Sequence, residues 1–275
     1  YNYPENFSHV IIPQGKKPLV LIFEQFQYST PYIESGCNEQ LAFDQENNVF
    51  ISRLKANQKN TEVEDVNAFS ILENFIEEHS DFSFDGAKAT LALTIDENIL
   101  GYTINEAQAQ TAIVNREILE LEPFILADKT QEEKNLFYQL QTEDLKILME
   151  ALIHHNYNFC NASYGGEYLN SLTFDQLQEN IEKWHELMLP FIGDIQALLY
   201  PGGSHIYSNS QALNYLLEQD YCNFYSESPS LYNLHALQYL HFDFTPINGN
   251  SLMNADSWNL DRFCDVYNVI EPWRE

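Results

Sequence analysis

The sequence predicts an α/β protein whose parallel sheet closes into a (β/α) barrel. Three observations predict it. Strand-like and helix-like segments alternate several times within one span. Apolar runs at 18–23 and 89–95 are short and continuous, as in strands covered on both faces. The chain has 275 residues, a length at which α/β barrels commonly form a single unit.

Taken in order, residues 1–17 are polar and punctuated by proline. They read as a lead-in, leaving 18–275 as the barrel domain. The run 18–23 (Pro-Leu-Val-Leu-Ile-Phe) is the first strand, followed at once by Glu24 and Gln25. From 26 to 60 the chain is irregular, with Ser-Thr-Pro and Ser-Gly-Cys turn signals, and a long loop or small hairpin is expected. Residues 64–79 place Val66, Phe69, Leu72 and Phe75 at a three-residue stride, which predicts an amphipathic helix. Asp85-Gly86 introduces a strand at 89–95, closed by Asp96-Glu97-Asn98.

Helices are expected over 105–119 and 142–155, with Thr142 as the N-cap of the second. The third strand, 157–161, runs into the small-residue turn 161–166. The helix 173–189 carries Leu177, Ile181, Trp184 and Met188 on one stripe, with Pro190 near its end. A strand at 197–200 is closed by Pro201-Gly202-Gly203. Ser208 or Ser210 caps a helix through Leu217, and strands follow at 221–225 and 238–244. The right-handed crossover rule leaves a parallel sheet, open or closed, and length and repetition favour closure. In a barrel the functional face lies where strands end. The candidate floor is therefore Glu24-Gln25, Asp96-Glu97, 161–166 and 201–205.

Composition bounds the function. Apolar residues at 44% suffice for a core, and the net charge is −28 with a pI near 4.4. That balance argues against nucleic acid, anionic membranes and polyanionic ligands, since each needs a basic face, and favours a neutral or cationic partner. No apolar run approaches the roughly 20 residues of a membrane span. Cys37, Cys160, Cys222 and Cys264 are widely spaced and fit buried free thiols, or one disulfide in an exported protein.

Among chemical candidates, Glu24 stands just past a buried strand, where a carboxylate can act as a base. Asp96 and Glu97 invite the same reading. His154 and His155 are adjacent and point apart on a helix, while His205, His235 and His241 lie in separate segments. His79 and His185 sit in helical patterns. Zincin, serine-hydrolase and P-loop motifs are absent from the sequence. Tyrosines on expected loops (Tyr28, Tyr32, Tyr164, Tyr168, Tyr207) suit sugar or peptide contacts, having an apolar face and a polar tip.

These motifs resemble the polysaccharide deacetylases, carbohydrate esterases that remove acetyl groups from cell-wall glycans on a distorted (β/α) barrel. The most specific stretch is 81–94 with Leu100-Gly101-Tyr102, which looks like an exported bacterial subgroup. The segment 173–193 and Tyr200-Pro201-Gly202 support the same alignment. The resemblance implies an extracellular or cell-surface protein whose signal or anchor lies outside this chain, which begins at Tyr1.

The family's first strand ends in Thr-Phe-Asp-Asp, a general base and then a metal ligand; here it reads Ile22-Phe23-Glu24-Gln25. The family's His-Ser/Thr-x-x-His reads Ala162-Ser163-Tyr164-Gly165-Gly166. Glu24 keeps a carboxylate at the base position, while Gln25, Ala162 and Gly166 replace all three protein ligands of the divalent metal, such as zinc. The family's reaction needs that metal to activate water. The resemblance therefore implies a deacetylase-like protein without metal-dependent activity or cofactor. It would bind a glycan in a groove drawing on Tyr164, Tyr200 and His205. The alternative is a working deacetylase that uses Glu24 at a non-standard site.

Overall fold

The structure is a computed structural model and describes residues 14–24, 40–56, 60–64, 67–207, 210–230 and 232–269. Its centre is a curled sheet of seven strands: β1 (Ile22–Phe23), β5 (Thr90–Ile95), β6 (Asn158–Tyr164), β7 (Ala197–Tyr200), β8 (Asn223–Glu227), β10 (Leu240–Phe244) and β9 (Asn233–His235), paired in that order. Every pair is parallel except β10 with β9. From β1 to β8 each strand adds beside its predecessor in the sheet, so the helical crossovers fall on one side and the sheet curls into a half-barrel. The barrel expected from the sequence is present to that extent.

Helix α1 (Ala68–Glu78) follows a separate antiparallel sheet of β2 (Gln40–Asp44), β3 (Val49–Ala56) and β4 (Asn60–Glu64). The hairpin expected within 26–60 is thus β2–β3, while 25–39 lie outside the described residues. Helix α1 starts later than its apolar stride suggests, because Asn67 caps it and β4 occupies 60–64. Helices α2 (Glu106–Ile118) and α3 (Gln131–His154) lie between β5 and β6. Helix α4 (Phe174–Ile192) lies between β6 and β7, and α5 (Gln211–Glu218, capped by Ser210) between β7 and β8. Two short helices, α6 (Gly249–Met253) and α7 (Val266–Val269), come after β10.

Two expected boundaries move for clear reasons. Helix α3 begins at Thr130, whose hydroxyl and the Glu133 carboxylate form a reciprocal capping box. Thr142 sits mid-helix, where its hydroxyl donates to the Tyr138 carbonyl at 2.7 Å instead of capping. The first strand shrinks to Ile22–Phe23, and Leu19 and Val20 are exposed because β1 is an edge strand joined to the sheet by two residues.

Alternation along each strand separates two faces. On the convex face Leu91, Leu93, Ile95 and Phe159 pack against Leu145, Leu148, Leu152 and Trp184, while Leu198, Tyr200 and Phe224 meet Leu177, Ile181 and Leu216. On the concave face the buried residues are Ala92, Cys160, Ala162 and Leu199, joined by Ile22, Ala197, Tyr225 and Phe244. The bulk of the core is convex, and three of the four buried concave residues are small.

Candidate functional site

The concave mouth carries two carboxylates. Phe23 is in register with Leu91, and its ring packs outward on Phe69 at 5.2 Å. Glu24, one residue on, therefore rises on the concave face, level with Ala92 and Cys160, which pair with each other. Glu227 ends β8. Three strands separate β1 from β8 in the sheet, yet the charge of Glu227 is felt at Glu24 because the sheet is curled. Burial first, and Glu227 second, push the Glu24 carboxyl up to about 7. Burial raises Glu227 as well. Neither carboxylate meets a cation or a hydrogen-bond donor among the described residues. A carboxyl raised in this way keeps its proton towards neutral pH.

Beside them β6 is bulged. Leu93 pairs with Asn161 but Ile95 with Tyr164, so β6 holds one residue more than β5 across that step. Ser163 takes up the excess with φ of 69°, in the left-handed region. Side chains and a neighbouring strand take up backbone groups at the break. Trp184 Nε1 donates to the Leu93 carbonyl at 2.8 Å. Asn180 takes the Tyr164 N–H at 3.0 Å and donates to the Tyr164 carbonyl at 2.7 Å. Asn161 Oδ1 takes the Ser163 N–H at 2.7 Å, and Gly165 N–H reaches the Ile95 carbonyl at 2.6 Å. Asn180 and Trp184 are four residues apart on one face of α4, so this helix clamps the bulge. Asn161 is held in turn by the Tyr221 hydroxyl at 2.6 Å, which His185 meets at 2.7 Å. The Ser163 hydroxyl itself is buried and has no partner among the described residues.

Among the other sequence candidates, Ala162 is buried in the concave floor, two residues beyond Cys160 and on the same face as Glu24. Gly166 lies past the strand end with φ of 66°. Gln25 falls outside the described residues, as do Tyr28, Tyr32, Cys37 and Ser208. Asp96 is raised by burial and by the charge of Glu97. Glu97 is buried and accepts from Asn115 Nδ2 at 2.9 Å, a structural tie to α2. His155 lies at the opposite end of β6, beside Glu73 at 3.2 Å.

Of Tyr164, Tyr200 and His205, the structure brings the last two together. Tyr164 is half-buried under Lys183 Nζ, 5.4 Å from its ring centre. Tyr200 and His205 share a cleft on the convex side with His241. Sequence reasoning missed Glu227, Asn180 and the pair His241–Asp243. The first was within reach: moving the strand end from 225 to 227 puts a carboxylate at a strand terminus, as for Glu24.

The divalent metal that the resemblance implies does not fit the residues present. Ala162 offers a methyl packed among apolar groups, Gly166 offers no side chain, and no three His, Cys, Asp or Glu converge to hold a metal ion among the described residues. What fold and mouth define is a class, an α/β half-barrel with a carboxylate-rimmed concave face. No family model, no curated protein and no solved structure matches the chain.

Proposed function

We propose that the chain is a polysaccharide-deacetylase-like protein that lacks metal-dependent deacetylase activity and binds a cell-envelope glycan at the concave mouth, in an extracellular or cell-surface setting. The reading rests on the sequence motifs. One observation supports it: Glu24 and Ala162, distant in sequence and assigned to base and metal positions, lie on the same concave face beside Cys160. Sugar hydroxyls would donate to Glu24 and Glu227 at the rim. No helix of the described chain is long and apolar enough to cross a membrane.

Calorimetry with chito-oligosaccharides and peptidoglycan fragments tests this. Binding that persists in a chelator is expected, and the absence of heat with every glycan would sink it. Stoichiometric zinc, cobalt or nickel in the purified protein would overturn the account of the site.

A second reading is favoured by the raised carboxyl of Glu24. A base near neutrality can take a proton from water as the water oxygen bonds to an acetyl carbonyl carbon, and the same carboxyl, once protonated, can pass that proton to the departing amine or alcohol. This reading requires acetate release that disappears in Glu24→Gln, whereas glycan binding without acetate release supports the first.

A further inference from the structure

On the convex side a separate cleft of about 90 Å³ lies between α5, the turn after β7, and strands β8 to β10. Rings dominate its walls, and they form a continuous set. Tyr200 stacks on Phe224 at 5.6 Å and 11°, and on His241 at 6.2 Å and 25°. Three others stand steeply across this stack: His205 against His241 at 72°, Tyr239 against Phe224 at 85°, and Tyr232 against His241 at 60°. Tyr207 meets His205 edge-on at 4.5 Å. Walls that meet at steep angles make a box rather than a flat stacking platform.

The charge around this box has one sign. No Lys or Arg lines it among the described residues. Directly behind it the Asp243 carboxylate accepts from Ser230 Oγ and lies 3.3 Å from His241 Nε2. Burial holds His241 below its ordinary range, although Asp243 pulls the other way, so the imidazole adds no positive charge near pH 7. The whole chain carries −28, which concentrates cations at its surface.

We propose that this cleft binds a quaternary ammonium head group. Aromatic faces attract such a cation through their quadrupoles, and the carboxylate behind His241 adds to that field. An inorganic divalent cation lacks its ligands here, because no three acidic, Cys or His side chains converge among the described residues. An anion would meet no Lys or Arg side chain among the described residues. The cleft is smaller than the roughly 300 Å³ at which pockets for whole drug-sized ligands begin, so it takes one compact group while the rest of the molecule stays outside. Tyr207 and Tyr232, 73% and 54% exposed, form its rim. The inference is independent of the glycan reading, which concerns the opposite face of the sheet.

The test is titration of the full chain with choline and tetramethylammonium, with 3,3-dimethylbutan-1-ol as the uncharged isostere and N-acetylglucosamine as the sugar control. Both cations are expected to bind and the isostere to bind at least tenfold more weakly. Tyr207→Ala and Tyr232→Ala are each expected to weaken choline by about 3- to 30-fold, the span of one cation–π contact. Both side chains are exposed, so the variants retain the fold, which an unchanged melting curve verifies. Absence of choline binding, equal affinity for the isostere, tighter binding of N-acetylglucosamine, or unchanged affinity in both variants would each overturn the proposal.

Discussion

The two faces of the curled sheet are made from the same strands and differ in almost everything else. In β7, Leu198 and Tyr200 face the helices while Ala197 and Leu199 face the concavity. The convex side buries Trp184, Phe159 and Phe224 in contact with α3, α4 and α5. The concave side buries Ala92, Cys160 and Ala162, and carries partly desolvated carboxylates at its rim. A period of two therefore sends the helix-covered core to one side and the raised carboxylates to the other. The difference teaches where to look for which effect: stability should respond to convex substitutions, and pH dependence to concave ones.

The largest expected effect is at Trp184. It is fully buried, and its indole N–H satisfies the carbonyl that the bulge leaves free at Leu93. Trp184→Ala should cost about 3–5 kcal/mol from lost contacts and cavity. Trp184→Phe, which keeps most of the ring but strands that carbonyl, should cost about 1–3 kcal/mol. Urea denaturation measures both, and a loss below about 1 kcal/mol in the Ala variant would mean that the convex side does not carry the stability assigned to it.

Asn161 comes next. It belongs to a buried polar island at the end of β6, bridging Ser163 N–H and the Tyr221 hydroxyl. Asn161→Leu leaves the Ser163 N–H without its acceptor and should cost about 2–3 kcal/mol. Tyr221→Phe should cost less, because Asn161 then keeps its bond to Ser163. If the two variants are equally destabilised, the hydroxyl rather than the bulge is what Asn161 supports.

Much of the fold was legible because its helices and inner strands obey local rules. The stripe of Leu177, Ile181, Trp184 and Met188 marks α4, and the apolar run marks β5 almost to the residue. The bulge was not legible. Nothing in Asn161-Ala162-Ser163-Tyr164 announces that β6 continues to Tyr164, because its backbone is satisfied by Asn180 and Trp184 from the following helix, a tertiary arrangement. Thr142 misled because a Thr before an apolar periodicity looks like a cap, whereas the true cap at Thr130 heads a polar first turn. In the candidate site, Glu24 could be read from its place at a strand end. Glu227 could not be read as its partner, because the pairing depends on curvature across three intervening strands.

That pairing predicts a smaller effect with a definite sign. The Glu24 carboxyl rises from its ordinary 4.5 to about 7 in the folded protein. Between those values the folded chain keeps a proton that the unfolded chain has lost. The stability of the native protein should therefore be full below about pH 4.5, fall as pH rises through about 7, and level off above it. Glu24→Gln carries no charge at any pH and escapes this loss. It should match the parent at pH 4.5 and exceed it by about 1 kcal/mol at pH 8, the remainder of the shift being screened by solvent at a half-buried side chain. Glu227→Gln removes the smaller of the two causes. It should move the pH window of the fall downward without abolishing it, since burial is the larger cause. Paired urea titrations from pH 4.5 to 8 measure both. A pH-independent difference between Glu24→Gln and the parent would mean that the carboxylate is not desolvated at the mouth. A window unmoved by Glu227→Gln would mean that the curl of the sheet does not bring the ends of β1 and β8 within reach of each other.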